Sequence, residues 1–293
     1  MKLNFRCLLS CVGSMALVFS TGLTVKAADV GIGASFKGPI GLQLYSLRDQ
    51  FKKDVPGTLD KVQGFGIKYA ELATTYNLPP EQFTAELKKR GIKAVSGHYP
   101  YEKYRDDAEG VAREAKALGL KYVGCAWIPH KGNFDEKTCR EAAAVFNHAG
   151  EVLAKQGMKF FYHVHGFEFQ PYQDGTLLDL LMKETNPKYA NFEMDVFWII
   201  FPGQDPVKLL EKYPKRWQLM HLKDMKKGLQ TGPLTGSAPV TNDVAIGTGQ
   251  IDFDPILKAA KKVGVKYYFI EDESPTSEQQ IPESLKYLGQ MKW

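Results

Sequence analysis

The chain has 293 residues, of which 44% are hydrophobic and 24% charged, with a formal net charge of +5. That length suits one large α/β domain or two small ones, and the composition is that of a globular chain. Three of the positive charges, Lys2, Arg6 and Lys26, fall in the first 27 residues, and the remaining +2 is too near neutral for binding by phosphate neutralisation, which argues against a nucleic-acid partner.

Residues 1–27 read as a secretory signal. Lys2 and Arg6 precede an uncharged, mostly apolar stretch at 7–25, and Val25, Lys26, Ala27 and Ala28 form a small-residue cleavage site. Ser10, Gly13, Ser14, Ser20, Thr21 and Gly22 dilute the apolar stretch, so a cleaved signal is expected rather than a stable membrane anchor. The expected location is periplasmic or secreted. Lys2, Arg6 and Lys26 account for three of the five net positive charges, which leaves the rest of the chain at +2. Cys7 and Cys11 leave with the signal. Cys125 and Cys139 read as buried free thiols, and no CxxC spacing is present.

Residues 28–37 (ADVGIGASFK) suit a short flexible linker. After them one alternation repeats. A strand is expected at 40–47, a helix at 55–65, a strand at 67–72 and a helix from Pro80 to Arg90, stopped by Gly91. The third strand is 93–98, followed by a helix at 106–118. The fourth strand is 122–127, followed by a long amphipathic helix at 135–155. The fifth strand starts at Lys159, and helix 176–185 follows it. Strand 190–195, helix 206–213, strand 217–224, a polar loop at 226–250, helix 254–263, strand 266–272 and helix 278–291 complete the chain. Eight strands alternating with eight helices predict a single-domain (β/α)8 TIM barrel over 38–293. A doubly wound sheet would carry a glycine-rich turn after its first strand, where this chain has Ser46, Leu47, Arg48 and Asp49.

The most informative stretch is KFFYHVHGFEF at 159–169. Alternate residues of a strand share a face, so His163 and His165 point the same way, and Glu168 follows in the turn. A TIM barrel does its chemistry at the C-terminal ends of its strands. Read in order, those ends carry Glu71, His98, Trp127 with His130 just after, His163 and His165, Asp195, His221, and Glu271. His163, Asp195, His221 and Glu271 come from four consecutive strands. Two imidazoles and two carboxylates suit one divalent manganese, cobalt, zinc or iron ion better than calcium. Lys223 shares a face with His221 and could neutralise an enolate oxygen. Glu193 lies one layer below Asp195, as an orienting group or a buried partner for a lysine. Tyr45, Trp127, Phe167 and Trp198 stand near the same rim and could stack on a sugar ring or belong to the core.

These residues carry a resemblance. GLQLYSLRD (41–49), YAEL (69–72), SGH (96–98), YHVHGFEF (162–169), EMDVFW (193–198), HLKD (221–224), GTGQIDF (247–253) and IEDE (270–273) make the chain resemble the xylose isomerase-like barrels of the sugar phosphate isomerase/epimerase group. The resemblance implies one metal held by Glu, Asp, His and Glu from the fifth to eighth strands. Asp195, His221 and Glu271 match the last three, and His163 stands where the family's epimerases have Glu. Glu168 is the alternative first ligand if its loop folds back.

The expected function is an exported, metal-dependent, isomerase- or epimerase-like enzyme that deprotonates an unphosphorylated keto-sugar beside its carbonyl. Glu271 or His165 would move the proton, with Lys223 assisting. Glu71, His98, Trp127, Glu168 and Trp198 would bind the small carbohydrate. The alternatives are a 3-keto-glycoside lyase or inosose-type dehydratase, favoured by the imidazole at His163, and a non-catalytic sugar-binding protein. The loop at 226–250 is a candidate lid. A homo-oligomer is compatible with all of these readings.

Overall fold

The computed structural model describes residues 30–293, so the signal expected at 1–27 lies outside the described residues. Eight parallel strands close into a barrel: β1 (Ile40–Gln43), β2 (Tyr69–Leu72), β3 (Lys93–His98), β4 (Tyr122–Cys125), β5 (Lys159–His163), β6 (Ala190–Asp195), β7 (Trp217–Leu222) and β8 (Tyr267–Ile270). Each strand pairs with its sequence neighbours, and β8 pairs with β1. The outer helices are α1 (Val55–Gly64), α2 (Pro80–Lys89), α3 (Tyr101–Ala117), α4 (Glu136–Lys155), α5 (Leu177–Glu184), α6 (Pro206–Lys212), α7 (Phe253–Val263) and α8 (Ser277–Gln290). Among the described residues no helix is long and apolar enough to cross a membrane.

The strand–helix alternation follows the expectation, with local departures. The first strand stops at Gln43 because the Gln43 side chain accepts the Tyr45 N–H and starts a 3-10 turn over Leu44–Leu47. Helix α3 starts at Tyr101, behind Pro100, and kinks at Asp107, whose carboxylate caps the Gly110 N–H. The expected start at 106 therefore matches the second half of this helix. A short helix, Val196–Ile200, directly follows β6. The glycines that end helices act as anticipated, for instance Gly91 at φ 68° and Gly264 at φ 85°. Cys125 and Cys139 are buried and free.

The segment read as a flexible linker is packed in its described part. Phe36 is buried edge-on against Tyr268, the Trp293 N–H donates to Ser35 Oγ, and a Cβ on Gly33 would meet Gly289 O of α8 at 2.0 Å. Small residues here allow close approach to the C-terminal helix.

Inside the barrel the side chains form layers. Val95, Tyr122, Phe161, Leu219 and Phe269 fill an apolar floor. Gly124 belongs to it by omission: a Cβ there would meet the Phe161 ring at 2.2 Å. Burying one such ring contributes about 1.5–3 kcal/mol. Two residues further along β5, β7 and β8 the same face is reached again, because side chains alternate with a period of two, and there the character changes. Phe161 gives way to His163, Leu219 to His221, and Phe269 to Glu271, while β6 already carries Glu193 one layer below Asp195. An apolar plug thus supports a polar layer at the C-terminal mouth.

Candidate metal centre and cavity

Strand register sets the site. His163 pairs with Glu193 across β5 and β6, and Asp195 pairs with His221 across β6 and β7. His163, Asp195, His221 and Glu271 each offer a ligand atom, and these atoms all lie within 4.8 Å of one another. All four residues are buried.

Each group is held so that one atom remains for the centre. Asp195 Oδ1 caps the Val196–Ile200 helix by accepting the Trp198 N–H at 3.1 Å. Its Oδ2 is buried with no hydrogen bond among the described residues, 3.7 Å from His221 Nδ1 and 3.9 Å from His163 Nε2. His163 Nδ1 lies 3.1 Å from Glu193 Oε2, which leaves Nε2 facing Asp195. His221 Nε2 lies 2.5 Å from Glu71 Oε1, which leaves Nδ1 facing Asp195 and, at 3.1 Å, Glu271 Oε2. Carboxylates that hold the far nitrogen fix the imidazole tautomer and ring orientation, as metal-binding histidines require.

The charges of the two histidines differ. Burial, helped by neighbouring imidazole charge from His221 and His165, pushes His163 well below its usual pKa, so it is neutral as a ligand must be. Burial also opposes charge on His221, but Glu193, Glu271 and Glu71 outweigh it and hold that imidazole well above its usual range, so a cation binding at Nδ1 would displace a proton there. Glu71, Glu193, Asp195 and Glu271 are all buried, and uncompensated buried carboxylates are costly. The orphaned Asp195 oxygen and this excess of acid fit a cation at the centre. The four ligand residues would hold it, and Glu71 and Glu193 would orient the two histidines.

Above the centre opens a cavity of about 490 Å³ lined by His98, Trp127, His163, His165, Trp198, Lys223 and Glu271, among others. Lys223 is buried, with Nζ 2.5 Å from Glu273 Oε1, 3.3 Å from Asp243 Oδ2 and 3.7 Å from Glu271 Oε2. Burial opposes its charge, but Glu271, Asp243 and Glu273 together hold it well above the usual lysine range. Three neighbouring acids therefore hold Lys223 charged. His165 stacks on Trp198 at 4.6 Å and meets Trp127 edge-on at 5.1 Å. Burial, with the Lys223 charge, lowers its pKa to about 4, so the ring is neutral near pH 7.

Two residues expected to bind substrate stand elsewhere. Glu71 is fully buried beneath the cavity, where it accepts from Gln43 Nε2, Ser96 Oγ and His221 Nε2. Glu168 lies on the outer side of β5 and does not line the cavity. It accepts from the Tyr162 hydroxyl and the His165 N–H, and Tyr162 packs on Phe146 of α4. Gly166, at φ 95°, turns the chain outward, so Glu168 is kept from the first ligand position that His163 occupies. The sequence reading did not pick out Gln43, Ser96, Asp243 or Glu273. The inward parity of Gln43, two residues after Gly41, was the available signal for the first; Asp243 sits in a loop with no periodicity to read.

The loop at 226–250 is anchored rather than loose. Asp224–Met225 pairs with Asp243–Val244, and the Asp224 carboxylate accepts the N–H groups of Met225, Gly247, Gly249 and Ile251. Gly236, Ser237, Ala238 and Val240 of this loop form one wall of the cavity.

Comparisons with known proteins agree with this architecture. An inosose dehydratase of Clostridium botulinum (strain Alaska E43 / Type E3) is 25% identical over 229 residues, covering 66% of this chain and 73% of that protein. A sugar phosphate isomerase/epimerase from Parabacteroides distasonis ATCC 8503 superposes with a TM-score of 0.71 at 26% identity, covering 86% of this chain and 98% of that one. The IolI protein, solved with a zinc atom bound, shares the fold at a TM-score of 0.65 and 15% identity, over 85% of this chain and 94% of that one. Residues 59–291 match the family model described as xylose isomerase-like TIM barrel, and the chain belongs to that family.

Proposed function

We propose that the protein is a metal-dependent lyase of the dehydratase type. It would remove a proton from the carbon beside the carbonyl of an unphosphorylated keto-sugar or cyclic polyol ketone, then eliminate the β-oxygen. The observation that carries this reading is the convergence of His163, Asp195, His221 and Glu271, of which His163 and Glu271 line the cavity, with an orphaned carboxylate oxygen among them. A divalent cation bound there would polarise the substrate carbonyl and acidify the adjacent C–H. Zinc in the IolI structure and the inosose dehydratase relatives support the cofactor and the reaction class.

The chain's own residues divide the remaining work. His165 lines the cavity and is only partly buried. Its Nδ1 is enclosed, which leaves Nε2 as the nitrogen that takes the proton. The C–H electrons pass into an enolate, whose oxygen is stabilised by the fixed charge of Lys223. As the C=C bond forms, the β C–O bond breaks and the oxygen leaves with the proton from His165, as water or, from a glycoside, as an alcohol.

An imidazole at His163 favours this reading over epimerisation, which needs an acid/base carboxylate on each face of the substrate. The cavity's charge favours a neutral substrate. Lys223 is already committed to three acids, and the glycine N–H groups at 247 and 249 are committed to Asp224. An exported location, where phosphorylated sugars are scarce, is part of the same proposal. The test is elemental analysis of the wild type and Asp195→Ala, with proton exchange in deuterated water on inososes, simple ketoses and 3-keto-glycosides. Bound metal lost in the variant and exchange at one carbon are expected; His165→Gln should keep its metal and lose about 10²–10⁴-fold in exchange. Negligible metal in both proteins and no exchange on any ketone would overturn the proposal.

A further inference from the structure

The cavity has a polar floor and an aromatic rim, and the rim is larger than a single sugar ring requires. Among the described residues, the large hydrophobic side chains left exposed are Tyr45 at 43%, Trp127 at 40% and Val240 at 37%. Single exposed apolar residues are ordinary on a protein surface. These three come from three different loops, after β1, after β4 and within 226–250, yet all line the one cavity above the metal centre. Convergence from separate loops is hard to attribute to chance exposure.

The two aromatic rings are also braced. The Arg48 guanidinium lies over Tyr45, 4.6 Å from the ring centre, and is itself tied to the Tyr45 and Glu273 carbonyls. His130 stacks on Trp127 at 5.4 Å with 20° between the planes, and Phe167 packs edge-on at 4.8 Å. Each ring therefore has a packing partner while a large part of it is exposed. Side chains already held in place lose little entropy when a ligand stacks on them.

The cavity continues outward. A second hollow of about 410 Å³ shares Ala73, His98, Ala126 and Trp127 with the first and extends over Tyr99, Pro100 and Tyr101. A polyol ring reaching the four ligand residues would fill the floor and leave the Tyr45–Trp127 rim and this extension free.

We infer that the substrate has two rings: a polyol ring at the metal centre and a second flat ring, joined by a glycosidic oxygen, seated against Trp127 and Tyr45. This rests on the proposed function and refines its substrate class. The second ring is recognised by its apolar face. An aromatic aglycone and the C–H face of a second sugar share that chemistry, and the experiment separates them.

The experiment is calorimetric titration of glucose, phenyl β-glucoside and cellobiose into the metal-loaded wild type, Trp127→Ala and Tyr45→Ala, with circular dichroism to verify folding. The wild type should bind at least one two-ring probe about ten-fold or more tightly than glucose. That advantage should shrink several-fold in each folded variant, while glucose binding changes by less. Preference for the phenyl compound assigns an aromatic aglycone, and preference for cellobiose assigns a second sugar. Equal affinity for one- and two-ring probes in the wild type, or an advantage that survives in both variants, overturns the inference. Because Tyr45 is an exposed rim residue, its variant carries the test if Trp127→Ala misfolds. Failure of the lyase reading shows separately, as two-ring binding with no turnover of the corresponding 3-keto compounds.

Discussion

Replacing Glu193 by glutamine tests whether the layer beneath the metal centre sets its affinity. Glu193 Oε2 lies 3.1 Å from His163 Nδ1 and 3.2 Å from both His221 Nε2 and His98 Nε2. Two of these imidazoles are ligand candidates. Hydrogen bonds to a charged group contribute about 1.5–3 kcal/mol, roughly twice a neutral bond, so removing the charge weakens each by about 1 kcal/mol or somewhat more. A metal on one imidazole nitrogen acidifies the N–H on the other, so the loss is felt on binding. Summed over two ligands it is about 2–3 kcal/mol, or roughly 30–150-fold in affinity at ~1.4 kcal/mol per tenfold, close to the usual effect of an outer-layer partner. The assay is competitive titration of zinc and manganese against a chromogenic chelator at pH 7.5. The wild type, Glu193→Gln and Asp195→Asn would be compared, with melting curves to verify folding. Asp195→Asn, which alters a direct ligand, should lose more than Glu193→Gln. An affinity for Glu193→Gln within twofold of wild type would refute the reasoning, as would a smaller loss for Asp195→Asn.

Two further outcomes concern stability. Burial, partly offset by the Tyr162 hydroxyl and backbone N–H groups, raises the Glu168 carboxyl from its ordinary 4.5 to about 7. A raised carboxyl binds its proton more tightly in the fold, so stability is held below pH ~4.5, falls as pH rises toward ~7, and is flat above; the span is about 3 kcal/mol. Glu168→Gln should remove that slope, so its melting temperature relative to wild type should rise between pH 4.5 and 8; a constant difference across the window would count against it. Lys223→Met should destabilise the protein by about 3–5 kcal/mol in urea unfolding at pH 7, because it strands Asp243, Glu271 and Glu273 without their cation. A change under about 1 kcal/mol, on the order of an exposed ion pair, would show that these acids do not depend on Lys223.

Much of the site was legible because strand parity is local. His163, Asp195, His221 and Glu271 were each identifiable as inward-facing residues at a strand's end, and eight repeats of strand and helix implied closure. The short helix after β6 shows where two readings of one residue coexist. A strand-end aspartate is commonly a helix cap, and Asp195 is one through Oδ1, yet its Oδ2 is still directed at the centre. Glu168 was misplaced because it follows Gly166, where the backbone leaves the strand and the period of two no longer applies. Glu71 was placed on the right face but one layer too high. Its depth follows from a register shift between β2 and β3 at Ala70 and Glu71, which seats it beside Ser96 and under His221.

The amino-acid order alone determined the alternation of elements, the glycine stops and the face on which each strand residue lies, since these depend on backbone geometry over a few neighbouring residues. Only the closed barrel decided that Glu71 on β2 reaches His221 on β7, and that Asp243 in a distant loop meets Lys223. It also decided that three exposed apolar side chains from separate loops rim one cavity. Those distances depend on strand stagger and on contacts between residues far apart in the chain, which no local pattern encodes.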